Sequence, residues 1–428
     1  MIYTHIVDTI GNTPLLEVPQ SVTGFKNIKL YAKLENQNPW GSVKDRTSYA
    51  LLKPYIDAGT LAGKVVLESS SGNTAKALQM LTKLFGGELR IITNLIKLEN
   101  VKDILASLGT SIRIMPGKSE CFDPSDPNDP IYEIQREMQV DPAQRIYTDQ
   151  FTNERNWQVH YETTAQEILS DLGSVDVVIG GLGTTGSTLG MIKRFKEQNQ
   201  SLKAFGLVAH KDDFIPGIRG ADELFEIGLY QEKEYERIIE CASREAIDGM
   251  CMLRDKLGVL GGPSAGINFY KSLEVLAELD ARATKPMNAV FIVCDRYEWY
   301  VDYLKKRIPE LFGQRKKSSW LDGGGEQYRA HSIEVSLSDY QVVSSDYLVI
   351  DTRVPVSFSL KHIPGALNYP YDLLSHVIDS AIPFSKSQKL LFVCAVGDKS
   401  AYLAGFLRTQ GYDAASLRGG MQEVAQYL

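Results

Sequence analysis

The chain has few residues that could fix it by covalent or metal cross-links. Its 428 residues include only five cysteines, Cys121, Cys241, Cys251, Cys294 and Cys394, scattered and without a C-x-x-C pair. An odd, dispersed set argues against a disulfide framework and suits a reducing compartment. The six histidines are equally dispersed, so the spacing of a zinc site is missing. No uncharged apolar run is long enough to span a bilayer. The first residues lack a basic segment followed by an apolar core, so no secretory signal is expected. Positive charge is short as well. The 46 Lys and Arg face 53 Asp and Glu, and the net charge of -7 argues against nucleic acid or an anionic membrane as partner. The remaining balance, 43% hydrophobic and 23% charged, is that of a soluble globular protein and points to a cytoplasmic enzyme without a metal. The length exceeds one compact core, so two or three domains are expected.

What is present alternates between strand and helix patterns. Residues 28–34 carry β-formers and predict a strand. Residues 38–46, Asn-Pro-Trp-Gly-Ser-Val-Lys-Asp-Arg, open in a turn and run into an apolar helix at 49–52. Lys44 falls at the loop-to-helix junction, where the helix field disfavours a cation. A neutral amine is favoured there, which suits a nucleophile; a surface lysine at a helix start has the same pattern. Residues 64–68 predict a buried strand, 69–74 (Ser-Ser-Ser-Gly-Asn-Thr) a small polar loop, and 75–85 a helix. This order offers backbone N–H groups and hydroxyls to an anion, although an ordinary Ser/Thr helix cap has the same composition. Residues 89–114 read strand, helix (about 98–108, closed by Gly109) and strand. Residues 117–130 are polar and proline-rich and predict a loop, either a lid or an insert.

Residues 175–180 form a dense apolar strand pattern, followed by Gly181-Leu-Gly183-Thr184-Thr185-Gly186-Ser187 and a helix to about residue 197. This satisfies G-x-G-x-x-G and allows a dinucleotide site. Its hydroxyls suit a terminal phosphate monoester better, and the next strand, 204–210, ends in His210 rather than an acidic residue. Arg219, in Ile-Pro-Gly-Ile-Arg, is a guanidinium that could pair with an anion, or a surface or capping arginine. Residues 243–257 predict an amphipathic helix, and 290–293 a strand followed by Cys294-Asp295-Arg296.

Lys33-x-Glu35-x-x-Asn38-Pro39-x-Gly41-Ser42-x-Lys44-Asp45-Arg46, with Ile10-Gly-Asn-Thr-Pro-Leu15 upstream, resembles the signature of the cysteine synthase and cystathionine β-synthase family. The resemblance implies a fold type II α/β enzyme of two subdomains that uses pyridoxal 5'-phosphate. It implies that Lys44 forms the Schiff base with that cofactor. Asn73 would contact the phenolic oxygen, and Gly183, Thr184, Thr185, Gly186 and Ser187 would wall the phosphate cup. Ser264, in Gly261-Gly-Pro-Ser-Ala-Gly266, would meet the pyridine nitrogen. A hydroxyl does not strongly protonate that nitrogen, which suits β-replacement over transamination. Ser70, Ser71, Gly72, Thr74 and Gln150 would hold the substrate carboxylate. The charge of Arg219, rather than the resemblance, suggests pairing with a phosphate leaving group or an anionic sulfur donor, with a surface or capping role as the alternative. His160 is implied to be structural. The Thr-Thr cup, residues 215–219 and Cys294-Asp295-Arg296 are similar to the B-type O-acetylserine sulfhydrylases. Ala75 and Lys76 stand where the family has glycine and an aliphatic residue.

Residues 313–330 are polar and glycine-rich and read as a linker, dividing a domain at 1–312 from one at 331–428. In the second, 347–351 and 390–394 are buried strands, and Cys394 ends the latter. A thiol there faces backbone N–H groups and a helix start at about residue 401, which stabilise its thiolate. Asp351-x-Arg353, His362-Ile-Pro-Gly-Ala366, Cys394-x-x-Gly397-x-Lys399-Ser400 and Gly419-Gly420 resemble a single-domain rhodanese. The resemblance implies that Cys394 carries sulfur as a persulfide. Val354, Ser357 and Lys399 depart from the usual pattern, and Asp398 adds negative charge that would weaken anionic donors.

The two halves together predict a β-replacement on O-acetylserine or O-phosphoserine by a sulfur nucleophile, giving cysteine or a cysteine derivative, with sulfur delivered through Cys394, directly or by a sulfur-carrier protein. The alternative is an amine nucleophile giving a diamino acid, with the C-terminal domain as a docking module. A homodimer is expected by family analogy.

Overall fold

The computed structural model describes residues 2–70, 72–94, 96, 98–115, 128–211, 213–312 and 326–424. Ser71 and most of the proline-rich 117–130 segment lie outside them. Two compact units are present, Met1–Arg307 and Ile308–Leu428.

Among the described residues the first unit has ten strands: β1 (Leu15–Glu17), β2 (Ile28–Lys33), β3 (Val65–Glu68), β4 (Glu88–Thr93), β5 (Ser111–Ile114), β6 (Arg145–Tyr147), β7 (Val177–Gly181), β8 (Lys203–Ala209), β9 (Arg237–Cys241) and β10 (Met287–Ile292). They form a six-stranded sheet, β1-β2-β10-β7-β8-β9, and a four-stranded sheet, β5-β4-β3-β6. Every pairing is parallel except β1 with β2. Parallel strands need helical crossovers, which bury both sheet faces. The strands are accordingly near-continuous apolar runs, such as 177–179 and 289–292, that are buried throughout. The helix Asn73–Leu84 packs Ala75, Leu78 and Leu81 on Val66, Leu89 and Ile91 of the smaller sheet. The helices Ser243–Leu257 and Pro263–Asp280 touch through their backbones. A Cβ on Gly249 would lie 2.0 Å from the Gly266 carbonyl oxygen, so glycine is required there.

The important regularity is directional. The segments carrying Lys44, Ser70, Gln150, Gly183 and Cys294 leave β2, β3, β6, β7 and β10 respectively, all from C-terminal ends, where parallel α/β sheets bind ligands. Helices also begin earlier than the apolar pattern predicts. Lys44 is the first residue of Lys44–Asp57, and Asn73 and Thr74 lie in the first turn of their helix.

The second unit is a parallel five-stranded sheet. Its strands are β11 (Glu334–Val335), β12 (Tyr347–Asp351), β13 (Leu367–Asn368), β14 (Lys389–Val393) and β15 (Asp413–Leu417), in the order β11-β15-β14-β12-β13. Cys394 follows β14 directly, and the next helix spans Asp398–Thr409, three residues longer at its start than the sequence pattern predicts. Residues 326–330, read above as linker, are instead part of a helical turn, Glu326–His331. The Tyr328 ring stacks edge-on against Phe406 at 5.2 Å, and Gly405 gives its carbonyl room to approach. The preceding glycines hide this anchor in the sequence.

Candidate active site

The Lys44 turn is fastened to the chain beyond β10. Val43 N–H donates to the Cys294 carbonyl at 2.8 Å, and Ser42 bridges Asp295. Lys44 therefore stands at a helix N-terminus beside Cys294 and Asp295. Burial of its amine outweighs these two neighbours and lowers its pKa below the ordinary lysine value. Burial pushes the Cys294 thiol up to about 12, so it stays protonated; it is hydrogen-bonded to Ser264. Asp295 accepts from Asn73 Nδ2 at 2.6 Å and from the Tyr300 hydroxyl. Lys44, Asn73 and Ser264, named from three distant motifs, thus share the neighbourhood of Cys294 and Asp295.

The polar loop after β3 is locked by Gln150. Its Nε2 donates to the Ser69 carbonyl at 3.0 Å, and its Oε1 accepts from Thr74 Oγ1 at 2.8 Å. Ser70 and Gly72 are held by a long contact of 3.4 Å between Gly72 N–H and Ser70 Oγ. Glu68 sits beneath, pushed up to about 7 by burial, and accepts from Thr148, Ser69 and Gln150.

The 183–187 turn ends in Thr185, a left-handed residue (φ 61) that caps the helix Gly186–Gln198 without a side-chain bond of its own. A Cβ on Gly183 would lie 2.6 Å from the Gly217 carbonyl, and one on Gly217 would lie 3.7 Å from Ser264 Oγ, so the turn closes against the Ser264 helix start. Three buried polar atoms of this region, Thr185 Oγ1, Asn73 Oδ1 and Asp295 Oδ1, have no protein partner. Buried polar atoms are rarely left unpaired; the Thr185 hydroxyl can donate to an anion such as a phosphate, and the two acceptor oxygens suit a ligand that also carries a donor.

Arg219 is engaged elsewhere. Its guanidinium pairs with Glu226 at 2.7 Å and lies 5.0 Å from the Phe151 ring centre, while its backbone N–H holds the Leu182 carbonyl. Lys76 is almost buried, 3.7 Å from the Trp299 ring centre, and burial lowers it to about 8 despite Asp45 and Asp295 nearby. His160 bonds Thr47 and Thr164 through its two ring nitrogens, and burial pushes it down to about 3, as a structural residue requires.

Sequence reasoning missed why the lysine motif is so long. Most of it is a buried ion network. Arg46 pairs with Glu35 at 2.8 Å and with Glu167, and Lys33 pairs with Glu167 at 2.7 Å. Asn38 joins Glu35 to the Gly11 N–H. Glu167, 121 residues beyond Arg46, carried no local signal.

In the second unit Cys394 Sγ accepts from the Gly397 N–H at 3.1 Å and from Ser400 Oγ at 3.2 Å, and Ser416 supports Ser400 at 2.8 Å. The nearby cations are occupied: Arg329 pairs with Asp398 at 3.0 Å, Arg353 pairs with Asp351 at 2.6 Å, and Lys399 lies 4.9 Å from the Tyr371 ring centre.

Fold and site together define an α/β enzyme with a partly buried lysine at a helix start and a glycine-threonine turn that begins a second helix. The chain belongs to the pyridoxal-phosphate dependent enzymes, a family matched over residues 6–295, and residues 337–427 match a rhodanese-like domain. It is similar to cysteine synthase B of Pseudomonas aeruginosa, 30% identical over 303 residues, covering 70% of this chain and 96% of that one. It is also 30% identical over 311 residues to N-(2-amino-2-carboxyethyl)-L-glutamate synthase of Ralstonia nicotianae, covering 71% of this chain and 89% of that one. Among solved structures, a hydrogen sulfide-producing enzyme from Fusobacterium nucleatum superposes with a TM-score of 0.62 at 28% identity, over 70% of this chain and 99% of its own. The cofactor is pyridoxal 5'-phosphate and the reaction class is β-replacement, so the dinucleotide reading of the glycine loop is set aside. Among the described residues no helix is long and apolar enough to cross a membrane.

Proposed function

We propose that the first unit makes cysteine from O-acetylserine or O-phosphoserine and a sulfur nucleophile. The convergence of the Lys44 amine with Asn73, Ser264 and the 183–187 turn carries this reading. Pyridoxal phosphate supplies the electron sink that acidifies the substrate α-proton and lets the β-substituent leave. Lys44 would hold the cofactor through Nζ, and the same free amine would take the substrate α-proton. Its lowered pKa keeps the amine able to accept that proton. Gly183, Thr184, Thr185, Gly186 and Ser187 would hold the phosphate, Asn73 the phenolic oxygen and Ser264 the ring nitrogen. Ser70, Gly72 and Thr74, on the loop that Gln150 fastens, would hold the substrate carboxylate. A nucleophile panel of sulfide, persulfides and amines, read by product mass, tests this reading. Cysteine as the dominant product supports it; a diamino acid as the dominant product overturns it in favour of the amine reading, which the Ralstonia nicotianae relative's name keeps in view.

The second unit supplies sulfur. Cys394 attacks the outer sulfur of a donor, forming an S–S bond and expelling the donor's remainder. Two thiols, or one dithiol, then reduce the persulfide: the sulfur leaves as hydrosulfide, Cys394 returns to the thiol and the reductant becomes a disulfide. Tethering raises the local sulfur concentration, and the assembly is a homodimer using small-molecule substrates in the cytoplasm. Cys394→Ser should retain the rate with added sulfide and lose nearly all of it with a persulfide donor. Equal loss with both would contradict the role.

Donor choice follows from charge. With Arg329, Arg353 and Lys399 occupied, Asp398 leaves the loop poorly matched to thiosulfate. Asp398→Asn should raise sulfur transfer from thiosulfate about three- to tenfold at low salt, less at high salt, as expected for a partly exposed charge. An unchanged thiosulfate rate would remove Asp398 from the account.

A further inference from the structure

A buried chain of hydrogen bonds ends on the phosphate-binding turn, and its direction follows from atoms that have only one role. The Asn156 side chain is fully buried. One amide atom lies 2.7 Å from the Gln150 carbonyl oxygen. A carbonyl only accepts, so that atom is Nδ2. The same Nδ2 donates to Thr184 Oγ1 at 2.9 Å. Asn156 Oδ1 therefore faces Thr47 Oγ1 at 3.1 Å, and Thr47 must be the donor. A hydroxyl has one proton, so in its other contact, 3.1 Å to His160 Nε2, Thr47 accepts. The ring proton is then on Nε2. Nδ1 is bare and accepts from Thr164 Oγ1 at 2.9 Å. The π-helical turn His160–Thr164 brings these two residues together.

Every proton thus runs one way: Thr164 to His160, His160 to Thr47, Thr47 to Asn156, Asn156 to Thr184. Thr184 receives a hydrogen bond and keeps its own hydroxyl proton for another acceptor. Thr47 lies on the helix that Lys44 begins, one turn further on. One buried amide consequently ties together the Lys44 helix, the Gln150 backbone and the phosphate turn. The space is reserved for it, because a Cβ on Gly186 would lie 2.1 Å from Asn156 Oδ1.

We infer that Asn156 is a positioning residue that fixes Thr184 as a hydrogen-bond donor to the cofactor phosphate, with the Nε2–H tautomer of His160 setting the sense of the relay. This rests on the assignment of residues 183–187 as the phosphate cup. A merely structural Asn156 would support cofactor with and without a phosphate equally; a relay ending on Thr184 supports only the phosphorylated form.

The first test uses the full-length holoenzyme with ring-¹⁵N histidine. The His160 resonances should show a protonated Nε2 and a bare Nδ1 across the neutral range, and the reverse tautomer would overturn the inference. The second strips the cofactor from the full chain and measures affinity for pyridoxal phosphate and for pyridoxal, which lacks the phosphate. Asn156→Ala and Thr47→Val should each weaken pyridoxal phosphate about tenfold or more, the size of a hydrogen bond to a charged group, and change pyridoxal less than threefold. His160→Gln, whose amide can donate from the same place, should retain affinity for both. Asn156→Ala and Thr184→Val together should cost no more than either alone. Equal weakening of both ligands, or additive effects, would refute the relay. If Thr184→Val itself leaves pyridoxal phosphate affinity intact, the cup assignment fails rather than the relay alone.

Discussion

Lys44→Ala is expected to lower β-replacement turnover by about 100- to 10,000-fold, the range for removing a positioned general base, while the folded protein keeps its thermal midpoint within a few degrees. The stability half of that expectation follows from the structure. Unlike Lys33, Glu35 and Arg46, Lys44 has no ion pair among the described residues; the neighbours that raise its pKa, Cys294 and Asp295, are outweighed by burial. Removing it should relieve a cost of dehydration rather than break a contact. Turnover measured with saturating activated serine and sulfide, alongside thermal unfolding, checks both parts. Added methylamine, which supplies a free amine in the space vacated, should restore a measurable fraction of the lost rate. A variant that retains more than about a tenth of the activity would remove Lys44 from the proton transfer.

Arg46→Met should have the opposite profile, large in stability. Arg46 is about as buried as any side chain in the protein and bridges Glu35 and Glu167. Burial alone would raise the Glu35 pKa, but the Arg46 charge and hydrogen bonds, with Thr13, bring it down to about 2. Taking the cation away leaves a dehydrated carboxylate, a loss of about 3–5 kcal/mol. The pH dependence fixes the sign. A depressed carboxyl contributes stability that is fully present above its ordinary value near 4.5 and is lost as pH falls toward about 2. The native chain should therefore lose stability between those values. In Arg46→Met the Glu35 carboxyl rises instead, so acidification from neutral toward pH about 5 should stabilise the variant. Denaturant midpoints of the two proteins across pH 3–8 measure this, and parallel pH curves would contradict the network.

These two residues show how far the sequence could be read. The lysine motif, the Gly-Thr-Thr-Gly turn and the Cys394 loop each lie within fourteen residues, and local turn and helix-start chemistry suffices to single them out. The strands were legible because parallel strands buried on both faces are continuous apolar runs. What was not legible depends on contacts between distant segments. Arg46 is explained by Glu167, and Thr184 by an asparagine 28 residues before it; neither partner belongs to a motif. Arg219 looked free to meet an anion because Glu226 and Phe151 approach it only in the folded chain. Tyr328 was hidden for the opposite reason, since one aromatic following a glycine run does not alter the composition of a linker. Helix starts at Lys44, Asn73 and Asp398 preceded the apolar pattern because functional first turns are polar.

The central claim is that the Lys44 amine is the one that holds the cofactor. Lys76 is the natural rival, a buried lysine lowered to about 8 one turn beyond Asn73. Reducing the holoenzyme with borohydride converts a lysine–cofactor linkage into a stable secondary amine, and peptide mass mapping then locates it. The account predicts a stoichiometric phosphopyridoxyl group on Lys44 and none on Lys76; a label on Lys76, or on any other lysine in place of Lys44, would contradict it.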